Sequence, residues 1–116
     1  MENHPLDWPT RFGLAICEAT EIEKLMPADA LGVAVVYARS GTEESVFLVL
    51  ESRAGSLLAQ CKRRLETAKF PPGATLQVAF KAESLLAPTP EAVHAACREQ
   101  VLLAGALRRE LRPAMR

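Results

Sequence analysis

LGVAVVYARSGTEESVFLVLES, residues 31–52, decides the fold. LGVAVVYAR (31–39) is continuous, apolar and rich in β-branched residues, so it reads as a strand buried on at least one face. SGTEES (40–45) has the small polar residues of a turn, centred on Gly41. SVFLVLES (45–52) is a second apolar run of strand length. Two such runs joined by a short polar turn predict an antiparallel hairpin.

Upstream, FGLAIC (12–17) reads as a short strand, and TEIEKLMP (20–27) as a brief helix. Thr20 with Glu23 three residues on has the spacing of a capping box, and Pro27 ends the helix. Downstream, Leu57, Leu58, Cys61, Leu65 and Ala68 recur at helical spacing through SLLAQCKRRLETAK, with Lys62, Arg63 and Arg64 toward the outer side. PPG (71–73) stops that helix. TLQVAFK (75–81) is the next strand. Pro90 sits where a last helix can begin, and Val93, Cys97, Val101, Ala104, Leu107 and Leu111 form its apolar stripe. Arg112 and Pro113 close it.

The predicted order is β-α-β-β-α-β plus a C-terminal helix. That is the ferredoxin-like, split βαβ order of an α+β domain, with an antiparallel sheet and helices on one face. Residues 1–10 read as an irregular lead-in, with Trp8 folded back onto the domain, and residues 11–116 as one domain. A chain of 116 residues, 49% hydrophobic and 24% charged, fits a single core and excludes wholesale disorder. With one Trp, one Tyr and four Phe, that core rests on Leu, Val and Ala.

Charge excludes some functions. The formal net charge is zero, which argues against nucleic acid as a partner. Residues 1–51 hold nine acids and three bases, and residues 52–116 hold eleven bases and five acids. The halves are thus complementary to each other. Three cysteines, Cys17, Cys61 and Cys97, are widely spaced without a CxxC pair, which argues against a disulfide framework or a structural zinc site. No apolar run has membrane-spanning length and the N-terminus lacks a leader-like apolar region, so a reducing cytoplasm is the expected location.

Candidate chemistry is sparse. His94 and Cys97 are three apart on the last helix, but Cys97 lies on the apolar stripe, where a thiol packs. Glu21 and Glu23 do not share a helix face. No Gly-rich phosphate cradle is present, and no catalytic residue, metal site or cofactor is expected. Lys62-Arg63-Arg64 reads as a solvated helix face, and Arg108, Arg109, Arg112 and Arg116 complement the helix macrodipole. VLLAGAL (101–107) is apolar nearly all round, more than a helix lying on one sheet face needs. Leu102, Leu103, Ala106 and Leu107 are therefore the candidate interface, toward a partner protein or a second copy, the other reading being that the helix packs between the sheet and the N-terminal segment. A pocket between the sheet and the last helix is the alternative, with Tyr37, Ser84 and Thr89 as polar contacts for a nucleotide, acyl-CoA or amino acid. Catalysis, the third possibility, rests on Lys81, Glu83 or Cys97.

EIEKLMPADALGVAVVYARSGTEESVFLVLES (21–52), then LLAQCKRRLETAKFPPG (57–73), then VAFKAESLLAPTPEAVHAA (78–96) resembles the C-terminal subdomain of adenylate-forming enzymes, the acyl-CoA ligase and adenylation-domain superfamily. The likeness covers roughly residues 11–93. Gly13 and Ile16 stand before the Glu21-Ile22-Glu23 helix start, as a glycine and a branched residue do in that family. The family's strand leads into a Thr-Pro-x-Gly-Lys loop whose lysine polarises the acid and phosphate. Here Thr89-Pro90 is followed by Glu91, Ala92 and Val93, so that role has no residue to carry it. The large domain that binds ATP and the acid is also missing. The resemblance therefore implies a free-standing, degenerate subdomain that acts as an accessory by contact.

Overall fold

The computed structural model describes residues 7–40, 43–52, 56–83 and 89–114. The order is α1 (Asp7–Arg11), β1 (Ala15–Glu18), a 3-10 turn (Ala19–Glu21) leading into α2 (Ile22–Leu25), β2 (Leu31–Ser40), β3 (Glu43–Glu51), α3 (Leu57–Thr67), β4 (Leu76–Glu83) and α4 (Pro90–Leu111). The α+β architecture expected from the sequence is present, with an antiparallel four-stranded sheet and a long C-terminal helix. Residues 7–11 are a short helix rather than part of an irregular lead-in.

The strand order is β1-β4-β2-β3, with every neighbouring pair antiparallel. β1 and β2 therefore run parallel with β4 between them, and β3 and β4 run parallel with β2 between them. The ferredoxin-like order expected from the sequence is not confirmed by this arrangement. The central strands are β4 and β2, and β2 is buried on both faces from Val33 to Tyr37, as a central apolar run requires.

Alternation divides the sheet into two cores. Ala34, Val36, Leu48, Leu50, Val78 and Phe80 face α2 and α3, where Ile22, Met26, Leu57 and Cys61 close the layer. Val33, Val35, Tyr37, Val49 and Ala79 face the other way, against Trp8, Leu14, Ala104 and Leu107. The two crossover helices thus share one face, as expected. The opposite face is not open, because α4 and α1 cover it.

One irregularity helps fill the first core. Val36 pairs with Leu48 but Tyr37 with Val46, so Phe47 is an extra residue in β3. This bulge turns Phe47 to the same side as Leu48. Its ring meets Phe70 edge-on, with centroids 5.3 Å apart.

The capping box expected at Thr20 does not form. The helix starts show no side-chain cap bond, and Thr20 sits inside the 3-10 turn. Glu23 instead pairs with Lys62 of α3 at 2.7 Å. A seven-residue 3-10 and α segment has too few turns for the reciprocal cap to form, and the carboxylate finds a cation across the layer. Ser56 and Thr89 do cap their helices, accepting from the amides of Ala59 and Ala92.

Candidate functional site

Where α4 crosses the start of β2 and the end of β4, a cavity of about 300 Å³ opens to solvent. It exists because the surrounding residues are small or stop short. Gly32 lines it with backbone alone, and Ala96 is small. β1 begins at Ala15, opposite Phe80, so the β4 residues beyond have no strand on that side and pair only with β2. Leu31, Val33 and Leu103 form apolar walls, and Lys81, Glu83 and Glu99 stand at the mouth.

Gly32 is required at its position. A Cβ there would lie 1.9 Å from the Lys81 carbonyl oxygen. The Gly32 N–H donates to Ser52 Oγ at 2.9 Å, and Ser52 Oγ donates to Gln100 Oε1 at 2.9 Å. The Ser52 amide donates back to the Gly32 carbonyl. Ser52 and Gln100 are both buried, so this chain ties β2, the end of β3 and α4 together behind the cavity.

The mouth presents one ammonium and two carboxylates, and among the described residues no hydroxyl, thiol or imidazole lines it. Among the described residues no three His, Cys, Asp or Glu side chains stand together as a metal set. Burial pushes the Cys61 thiol up to about 12, and burial, with Glu21 nearby, also raises Cys17; both thiols stay protonated and inert at neutral pH.

The sequence-predicted residues fall in different places. Tyr37 lies at the far end of the sheet, 1% exposed, its ring 5.1 Å from that of Trp8. It does not line the cavity. Burial, with the Glu44 carboxylate second, pushes its phenol up to about 12. Ser84 lies outside the described residues. Thr89 is the N-cap of α4, and Pro90 is its first residue, so Thr-Pro here starts a 22-residue helix. His94 is exposed and Cys97 half-buried on α4, and neither reaches the cavity. Lys81 and Glu83 do reach it.

The interface residues divide as well. Leu102 is 69% exposed, beside Val101 at 50%. Leu103 lines the cavity and Ala106 is half-buried. Leu107 is fully buried against the sheet, which corrects its placement at a surface. Its angular position on α4 matches Gln100 and Ala104, the other two buried residues of that helix.

Ser52, Gln100 and Gly32 were not singled out from the sequence. The detectable signal was Gln100, a polar residue between Cys97 and Ala104 on the side of the helix that packs. A buried amide needs a partner, and Ser52 supplies it.

No protein-family model, curated protein or solved structure matches this chain. No helix among the described residues is long and apolar enough to cross a membrane.

Proposed function

We propose that this chain is a non-catalytic interaction domain that docks on a protein partner or on a second copy, through the outer side of α4 and the adjoining cavity mouth. The observation that carries this reading is Leu102, 69% exposed midway along a helix whose opposite side is fully occupied by the core. Val101 is half exposed beside it, and Ile16 is 52% exposed on the same face of the sheet. Apolar side chains grouped on one face of a small domain are the usual mark of a surface covered by another molecule. The likeness to a ligase subdomain fits the same role: without a lysine after Thr89-Pro90, such a domain acts by contact.

The test is affinity capture from cell lysate with the wild-type chain and Leu102→Glu side by side, with a light-scattering mass for each. Loss of a captured protein, or of a dimer mass, in the variant supports the reading. Identical captures and identical masses sink it.

The cavity itself favours a second reading, a small-molecule sensing domain. About 300 Å³ with apolar walls and a charged mouth is at the lower end of ligand-site size. A thermal-shift screen with nucleotides, acyl-CoA thioesters and amino acids tests it. A shift lost in Leu103→Trp, which fills the space, supports it, and no shift across the set removes it.

A further inference from the structure

The outer side of α4 reads as a seam. Glu91, Ala95, Arg98, Leu102, Gly105 and Arg109 follow one another at alternating spacings of four and three, the spacing that keeps residues on one line of a helix. All are exposed except Gly105, which is half-buried. The helix's buried residues, Gln100, Ala104 and Leu107, lie on the opposite side.

This seam is symmetric about the level of residue 100. Laid antiparallel against a copy of itself, it sets Glu91 opposite Arg109, Ala95 opposite Gly105 and Arg98 opposite Leu102. Acid meets base at both ends. The two small residues meet where the backbones come closest. The aliphatic stem of each Arg98 covers the exposed Leu102 across the seam, leaving its guanidinium in water. Neither Glu91 nor Arg109 has an ion-pair partner among the described residues; Arg108 and Glu110, which flank Arg109, are used within the chain by Glu51 and Arg11.

Gly105 supplies an independent reason. Glycine in a helix interior costs stability relative to alanine. A Cβ at 105 would meet only the Arg109 guanidinium, at 3.5 Å, so nothing inside the fold requires glycine. Close approach of a second helix does require a small residue there.

The sheet edges offer a poorer route to pairing. The outer edge of β3 is occupied: Arg108 Nη2 donates to the Val49 carbonyl at 3.0 Å, and the Ala114 amide donates to that of Val46 at 3.1 Å. The other edge, β1, is four residues long.

We infer that the occupant of this docking face is a second copy of the chain, with the two α4 helices antiparallel about a twofold axis at the level of residue 100. This deepens the docking reading above and rests on it.

Sedimentation equilibrium of the full chain tests it, with circular dichroism melts to show that each variant folds. The wild type is expected to be dimeric. Glu91→Arg or Arg109→Glu alone places like charges at both ends and raises the dissociation constant by about tenfold. The double variant returns it to the wild-type value. An equimolar mixture of the two single variants forms a mixed dimer in preference to either parent, because each end then holds one acid and one arginine. A chain that stays monomeric into the millimolar range overturns the pairing, as does a dimer indifferent to both reversals. If the chain is monomeric but Leu102→Glu still abolishes capture of a partner protein, the docking reading stands and the self-pairing falls.

Discussion

Gly32 and Lys81 approach so closely across β2 and β4 that a single added carbon on residue 32 would sit 1.9 Å from the Lys81 carbonyl oxygen. The obstacle is backbone in a central pair of strands, and no side-chain rotation relieves it. Gly32→Ala is therefore expected to destabilise the fold by about 3 kcal/mol, near the upper end for an overpacked core. Urea denaturation reads this directly, and a midpoint within error of wild type would show that the strands can separate without cost.

Ser52 joins Gly32 to Gln100 through one hydroxyl that both accepts and donates. Ser52→Ala leaves a buried amide N–H and a buried Gln100 oxygen without these partners. The expected loss is about 2 kcal/mol. Adding Gln100→Leu to Ser52→Ala recovers part of it, because the orphaned oxygen goes as well. A double-mutant cycle in urea checks the coupling, and strictly additive losses would deny that the three residues form one chain.

Tyr37 is the only tyrosine, so ultraviolet titration of the phenol reports this one residue. Its pKa in the folded chain is about 12 against an ordinary 10, first through burial and then through Glu44. The folded state therefore holds its proton where the unfolded state has released it. Stability tied to this group is complete below pH 10 and is lost as pH rises from 10 toward 12. Cys61 acts in the same direction over pH 9 to 12. Glu44→Gln lowers the Tyr37 midpoint, and ionisation of the folded chain at the ordinary value would contradict the buried placement.

Arg108 bridges Glu51 at 3.1 Å and the Val49 carbonyl at 3.0 Å, guarding the edge of β3. Arg108→Ala is expected to cost about 2 kcal/mol and to expose that edge to pairing with other chains. Light scattering during slow heating should rise earlier than in wild type. Arg108→Lys recovers little, since one ammonium cannot hold both acceptors in the geometry of the fork. Unchanged scattering in Arg108→Ala would remove the guarding role.

Arg112 ends α4 in the left-handed region, φ 50°, and the turn it makes sends Ala114 back onto Val46. A side chain is disfavoured in that conformation and glycine is not. Arg112→Gly is expected to stabilise the chain by about 1 kcal/mol. A lower melting temperature would mean that the Arg112 side chain contributes more than its backbone costs.

Much of the architecture was legible in local patterns. The 31–52 hairpin, the α3 stripe from Leu57 to Leu65 and the Pro90 helix start are each set by neighbours a few residues away, and each formed. The Thr20–Glu23 cap was equally local but failed, because a cation on another element offered Glu23 a better partner. Leu107 and Leu102 could not be told apart by composition. Only the angle at which α4 meets the sheet buried one and left the other in water.

By itself, the sequence determined which segments become strands and the longer helices, since hydrophobic period and turn chemistry act over a few residues, but not the short helix at 7–11. It determined an α+β class and a core of aliphatic residues. The tertiary structure decided the strand order, the covering of the second sheet face by α4 and α1, and the cavity between Gly32, Lys81 and Leu103. Those depend on contacts between residues far apart in the chain, whose energies are set only once the layers have packed. Gly32 shows the difference: its identity is plain in the sequence, but its necessity comes from a carbonyl 49 positions away.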